Sequence, residues 1–100
     1  MNQLFKAIVI DDEPAARRLM KSLLAEYKDI IHVIDEAGNG REAIRKIEEF
    51  QPDIIFLDIQ MPDLTGFEVI EQLTCKPNII FTTAYEQYAI RAFETFSILF

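Results

Sequence analysis

Three carboxylates follow two apolar runs of this chain, and together they could hold a divalent cation. Asp11 and Asp12 come directly after the run Phe5–Ile10, and Asp58 comes directly after the run Ile54–Leu57. Carboxylates that meet within roughly 5 Å repel one another by about 3 kcal/mol per ionised pair at an effective dielectric of about 20. Such a cluster is hard to keep charged without a cation, and a few oxygen ligands in an open cleft suit Mg²⁺.

Asp58 is the candidate nucleophile of this cluster. A carboxylate beside a metal ion can accept a phosphoryl group as an acyl phosphate, while the metal neutralises charge on the transferring group. Thr83 lies at the end of another apolar run, at residues 79–81, where its hydroxyl could bond a phosphoryl oxygen. Each feature alone is commonly structural, as a helix cap or a turn residue. Their combination at adjacent strand ends is what indicates phosphoryl chemistry.

These side chains can meet only if the apolar runs form neighbouring strands. The runs lie at residues 5–10, 30–37, 54–57, 79–81 and 97–100. Amphipathic segments separate the runs, and strands that alternate with helices predict an α/β fold with a doubly wound parallel sheet covered on both faces. Ligands of such sheets bind beyond the carboxyl ends of the strands, which is where the acids fall.

The segments between the runs have the spacing of helices. Pro14 fits the first turn of a helix, and an acid before it could act as the cap. This helix has an apolar stripe made of Ala16, Leu19, Met20, Leu23, Leu24 and Tyr27. Arg17 and Lys21 lie off the stripe, so we expect them to be solvated. Asn39 and Glu42 resemble a capping box that opens a second helix. The predicted buried face of that helix consists of Ala43, Ile44, Ile47 and Phe50.

Composition narrows the functional class. The chain has 100 residues, a net charge of −7 and a single cysteine, Cys75. One domain spanning residues 1–100 is therefore expected, and the acidic surface argues against direct binding of nucleic acid. A lone cysteine allows no internal disulfide and is typical of a reducing compartment. No apolar run resembles a signal peptide or a membrane span, which predicts a cytoplasmic protein without a membrane partner.

Three motifs resemble one known family. They are VIDDEP at residues 9–14, FLDIQMPDLTGFE at residues 56–68 and FTTAYEQYAIRAFE at residues 81–94. Together they resemble the receiver domain of two-component response regulators, and the resemblance covers the whole chain. The third motif is similar to the subgroup whose receivers precede a LytTR-type DNA-binding domain.

The resemblance implies a flavodoxin-like sheet of five parallel strands in the order 2-1-3-4-5. It also implies a module that accepts a phosphoryl group from a sensor histidine kinase and hydrolyses it slowly, rather than an enzyme. By position, Asp58 matches the phospho-acceptor and Asp12 the direct Mg²⁺ ligand. Asp11 matches the acid that acts through water, and Gln60 the residue that lends its backbone carbonyl to the metal.

Two further positions match the switch residues of the family. Thr83 matches the hydroxyl that follows the phosphoryl group, and Phe100 matches the switch aromatic on the fifth strand. The family's lysine on the fifth strand, the proline after it and the fifth helix are not in this sequence. We therefore expect a receiver that is truncated at its C-terminus, although a natural short variant would have the same sequence.

This departure has physical consequences. A charged hydrogen bond to the phosphoryl group is worth roughly 1.5–3 kcal/mol, so phosphorylation is expected to be weaker without the lysine. Loss of the fifth helix would expose apolar surface beside the first helix, and such patches promote association. We therefore expect a homo-oligomer, either a dimer or a swapped assembly, or a domain of low stability. DNA would be bound only through an output domain that this sequence lacks.

Two other functions remain open at this point. One is a degraded receiver that binds partners without being phosphorylated, which the absent lysine favours. The other is a phosphohydrolase with an aspartyl nucleophile. Such enzymes usually carry a proton-donating acid two residues after the nucleophile, and Gln60 stands at that position.

Overall fold

The computed structural model describes residues 4–82 of the chain, in which strands and helices alternate as predicted. The strands are β1 (Phe5–Ile10), β2 (Ile31–Ala37), β3 (Ile54–Leu57) and β4 (Asn78–Phe81). The helices are α1 (Pro14–Leu24), which continues into a 3-10 turn (Ala25–Tyr27), α2 (Gly40–Phe50) and α3 (Gly66–Glu71). The helix predicted after β4 and the fifth strand at residues 97–100 lie outside the described residues.

The four strands form one parallel sheet in the order β2-β1-β3-β4. This order confirms the predicted 2-1-3-4 part of the flavodoxin-like topology. Ile10 lies opposite Ala37 on one side and Leu57 on the other, and Leu57 lies opposite Phe81. The carboxyl ends of all four described strands are therefore level with one another at one edge of the sheet.

The residues of β1 alternate between two apolar layers, as expected for a strand with helices on both faces. Ile8 and Ile10 belong to the layer that includes Ile47 of α2 and Val69 of α3. Ala7 and Val9 belong to a smaller layer, which packs against Leu24 of α1. The sheet thus has the two-sided covering that the apolar runs predicted. Within the described ranges, no helix is long and apolar enough to cross a membrane.

The apolar stripe of α1 is only partly buried, and the predicted buried face of α2 is wrong at one residue. Leu24 of the α1 stripe is buried, but Leu19 is 61% exposed and Leu23 is 50% exposed. Phe50, the last residue of α2, is also exposed, at 41%. Helical spacing identifies which residues share a face, but it does not show whether another element covers that face.

Candidate functional site

The backbone of the sheet continues past the strands and holds the predicted site residues. The N–H of Asp11 donates to the carbonyl of the last residue of β2, at 3.1 Å. The N–H of Asp58 donates to the carbonyl of Ile10, and the N–H of Thr82 donates to the carbonyl of Leu57, both at 3.0 Å. Each side chain therefore starts from a backbone position that the sheet fixes.

The three predicted carboxylates meet at this edge. Asp11, Asp12 and Asp58 each offer one carboxylate oxygen, and these oxygens all lie within 4.8 Å of one another. All three side chains are half-buried. Among residues 4–82 this is the one group of three or more acidic, histidine or cysteine side chains that is close enough to hold a metal ion.

A short turn fixes the first two acids. The carboxylate of Asp11 accepts a hydrogen bond from the backbone N–H of Glu13 at 3.0 Å, which is a local turn typical of aspartate. Glu13 is the residue that precedes the first turn of α1, and its own side chain makes no capping bond. The Asp11 carboxylate is thus oriented by this bond to the loop, and the predicted side-chain cap of α1 is absent.

The cluster carries the electrostatic cost that the sequence predicted. Burial, and then the charge of Asp11, raise the pKa of Asp58 to about 6 from its usual value of 3.8. Hydrogen bonds from the backbones of Gln60 and Ile59 act in the opposite direction but do not compensate. Burial also raises the pKa of Asp11. A cation bound among these oxygens would relieve the repulsion and keep the carboxylates ionised.

The acids open into a cleft of about 650 Å³. Its other walls come from the start of α1 and from the loop that follows β3. They include Glu13, Ala16, Gln60, Met61, Pro62, Thr65 and Thr82. The sequence pointed to Gln60 but not to Thr82 or Thr65. A hydroxyl in a polar loop has no pattern of its own, so only the fold could place these two residues at the site.

The loop after β3 is closed tightly against the acceptor position. The N–H of Gly66 donates to the carbonyl of Ile59 at 2.8 Å. A Cβ atom added to Gly66 would lie 2.8 Å from the backbone oxygen of Asp58, which leaves no room for a side chain. Thr65 and Glu68 then form a capping box that starts α3. The glycine therefore permits the close approach between the helix start and the strand end.

Hydrogen bonds also connect the loop after β3 to the start of α2. The carboxylate of Asp63 accepts hydrogen bonds from the backbone N–H groups of Gly40 and Arg41, at 2.8 and 2.9 Å. These bonds satisfy free donors at the start of α2, and they lower the pKa of Asp63. The Asn39 side chain accepts from the N–H of Glu42, as predicted for a cap.

The prediction that Arg17 is solvated is wrong, and Lys21, although 37% exposed, pairs with an acid of β2. The Arg17 side chain is only 17% exposed, and its Nε donates to Glu36 of β2 at 2.8 Å. Its Nη1 also donates to the backbone carbonyl of Asp11 at 2.6 Å. Lys21 pairs with the same glutamate. The helical pattern placed both cations off the apolar stripe, but it could not show that an acid of the neighbouring strand faces them.

Two predicted site residues lie outside the described part of the chain. These are Thr83, the expected switch hydroxyl, and Phe100, the expected switch aromatic, and both roles stay predictions. The backbone nearest to Thr83 that the structure describes is Thr82, which lines the cleft. The fourth strand therefore leads towards the cleft.

The chain was compared with known proteins. It is 44% identical over 101 residues to an uncharacterized response regulatory protein of Vibrio cholerae, covering 98% of this chain and 39% of that protein. It is 41% identical over 93 residues to the transcriptional regulatory protein BtsR of Escherichia coli, covering 91% of this chain and 38% of BtsR. The chain thus spans about two fifths of the length of these curated relatives.

Solved structures show the same fold. A LuxR-family two-component response regulator from Aurantimonas matches with a TM-score of 0.81 and 28% identity, covering 92% of this chain and 69% of that one. A CheX–CheY–BeF3–Mg²⁺ complex from Borrelia burgdorferi matches with a TM-score of 0.71 and 25% identity, covering 84% and 66%. The family model for the response regulator receiver domain matches residues 7–96. Because this family model covers nine tenths of the chain, and the described fold and carboxylate edge agree with it, the chain belongs to the response regulator receiver domain family.

Proposed function

We propose that this chain accepts a phosphoryl group on Asp58 from a sensor histidine kinase, in a reaction that requires Mg²⁺. The observation that carries the proposal is the cluster of three carboxylate oxygens within 4.8 Å at the mouth of an open cleft. The site offers oxygen ligands only, and the open side leaves room for water and for a phosphoryl group. A chain of the CheX–CheY–BeF3–Mg²⁺ complex from Borrelia burgdorferi has the same fold.

The proposed role of each residue follows from its match to the family motifs. Asp12 would bind the metal directly, Asp11 would act through water, and Gln60 would contribute its backbone carbonyl. When bound, Mg²⁺ would offset negative charge on the phosphoryl oxygens. Thr83 is proposed as the hydroxyl that follows the phosphoryl group, on the strength of its match to the family motif.

Asp58 is the acid best suited to attack phosphorus. It extends from the central strand β3, and its backbone N–H is bonded to the carbonyl of Ile10. Its carboxylate oxygen would form the new bond to phosphorus, while the phosphorus–nitrogen bond to the donor's imidazole breaks and that nitrogen takes up a proton. Mg²⁺ bound among the three carboxylates would keep Asp58 ionised, and the ionised carboxylate is the form that attacks phosphorus.

The output of the phosphorylated receiver is proposed to be transcriptional. The relatives named BtsR are called transcriptional regulatory proteins, and this chain covers 38% of their length. The motif at residues 81–94 further favours the LytTR subgroup, in which DNA would be bound by a separate output domain. Self-association of the chain remains a prediction, and the exposed Leu19 and Leu23 of α1 support it.

Incubation with acetyl phosphate and Mg²⁺, followed by intact-mass measurement, tests the proposal. The chain should gain one phosphoryl group when Mg²⁺ is present and none when EDTA replaces it. Asp58→Asn should abolish the adduct. The control is Asp29→Asn, which removes an exposed acid that follows α1 in the sequence, and it should leave the adduct unchanged. Mg²⁺ binding without an adduct would instead favour an interaction module, and steady turnover of phosphate esters would favour a phosphohydrolase.

A further inference from the structure

Arg17 bonds the peptide group that joins the two acids at the end of β1. Its Nη1 lies 2.6 Å from the carbonyl oxygen of Asp11, and that carbonyl belongs to the peptide bond between Asp11 and Asp12. The guanidinium therefore contacts neither carboxylate through this bond. It contacts the backbone unit whose orientation determines where both carboxylates point.

The guanidinium also bonds an acid of β2. Its Nε donates to Glu36 at 2.8 Å, and Glu36 also pairs with Lys21. Hydrogen bonds from Lys21 and Arg17 lower the pKa of Glu36, so this carboxylate stays charged at neutral pH. Nη1 of Arg17 lies 3.2 Å from the position that a Cβ atom of Gly38 would occupy. The absence of a side chain at Gly38 therefore leaves room for the guanidinium.

We infer that Arg17 is a positioning residue for the metal-binding acids, and that Glu36 is the anchor that fixes it. The inference rests on the proposed function, because it assigns a role in the Mg²⁺ site. Partners that orient a metal ligand are typically worth 10–100-fold in metal affinity, and a planar guanidinium can hold two acceptors in a fixed relation, which an ammonium cannot.

Positioning and simple electrostatics predict opposite results for the same substitution. Arg17 is a positive charge close to the proposed cation site, so removing it should favour Mg²⁺ if charge alone mattered. If Arg17 orients the acid pair, removing it should weaken Mg²⁺ binding despite the more negative surroundings. Arg18 is the matched control, because it is an exposed arginine at the next position of the same helix.

A Mg²⁺ titration of the isotopically labelled 100-residue chain, followed through backbone amide shifts, tests the inference. We expect Arg17→Gln to weaken Mg²⁺ binding by about tenfold and Arg18→Gln to leave it within about twofold of the wild type. Arg17→Lys keeps the charge, so its affinity should fall between those of the wild type and Arg17→Gln. In the metal-free spectra the amide of Asp12, which shares the contacted peptide group, should shift in both Arg17 variants and not in Arg18→Gln.

Each outcome separates this inference from the proposed function. A wild-type chain that shows no response to Mg²⁺ overturns the proposed function and the inference with it. A wild-type response that Arg17→Gln leaves unchanged or strengthens overturns the inference alone, and so does an equal loss in Arg18→Gln. If Arg17→Gln does not fold, Arg17→Lys decides the question, because an unchanged affinity in that variant would contradict a role for the guanidinium geometry.

Discussion

Replacing Asp58 with asparagine should stabilise the metal-free chain at neutral pH. Burial and the charge of Asp11 raise the pKa of Asp58 to about 6 in the folded chain, against a usual value of 3.8. The folded state therefore binds this proton more tightly than the unfolded state does. The free energy of unfolding falls as the pH rises between these two values, and the penalty is complete above the folded pKa.

The size of the gain follows from the shift. About two pKa units correspond to roughly 3 kcal/mol, and solvent screening in an open cleft reduces this to about 1–2 kcal/mol. Asparagine has nearly the shape of aspartate, and its amide oxygen can still accept the backbone hydrogen bonds at this position. The substitution should thus remove the repulsion without creating a cavity.

Urea denaturation in EDTA at several pH values measures this effect. At neutral pH the free energy of unfolding of Asp58→Asn should exceed that of the wild type by about 1–2 kcal/mol. The melting temperature should be roughly 5–10 °C higher. The gain should shrink as the pH falls and vanish below about pH 3, where the wild-type acid is protonated in both the folded and the unfolded state. Asp29→Asn, at an exposed position, should show no such trend.

Two results would refute this reasoning. One is a less stable Asp58→Asn chain at neutral pH, which would mean that the carboxylate stabilises the fold. The other is a gain that does not depend on pH, which would trace the effect to packing rather than charge. Addition of Mg²⁺ should raise the stability of the wild type more than that of Asp58→Asn, and so narrow the difference between them.

Three further outcomes are expected from other parts of the site and core. Gly66→Ala should lower both stability and the rate of phosphorylation by acetyl phosphate, because its Cβ would lie 2.8 Å from the backbone oxygen of Asp58; an unchanged rate would show that the loop can shift freely. Thr65→Ala should cost about 1 kcal/mol in urea denaturation through loss of the α3 capping box. Ile55→Ala, in the fully buried centre of β3, should lower the free energy of unfolding by about 2–5 kcal/mol. Ile30→Ala, at a 52% exposed position, should lower it much less. Similar losses in the two variants would contradict the described core.

The strands and the acid cluster were predictable because each had a local signal. The apolar runs that became β1 and β3 end at the acids themselves, so strand pairing alone was enough to bring the carboxylates together. The order 2-1-3-4 came from the resemblance to receivers, since strand alternation by itself leaves several arrangements. Asn39 was recognisable as a cap because it stands three residues before a glutamate, outside an apolar face.

Contacts between distant elements had no such signal. The pairing of Arg17 with Glu36 joins residues 19 apart in sequence, and an off-stripe arginine looks like a solvated one until β2 is placed beside it. The apolar stripe of α1 likewise did not reveal whether another element covers it, and the structure shows Leu19 and Leu23 exposed. Thr83 and Phe100, which lie outside the described residues, stay as predicted.

The central claim is that Asp58 itself carries the phosphoryl group. Borohydride reduction of the chain treated with acetyl phosphate and Mg²⁺ converts an aspartyl phosphate to homoserine, which peptide mass spectrometry can locate. The account predicts homoserine at position 58 only, and none when Mg²⁺ is withheld. Homoserine at position 11 or 12, or none at all in a chain that binds Mg²⁺, would contradict it.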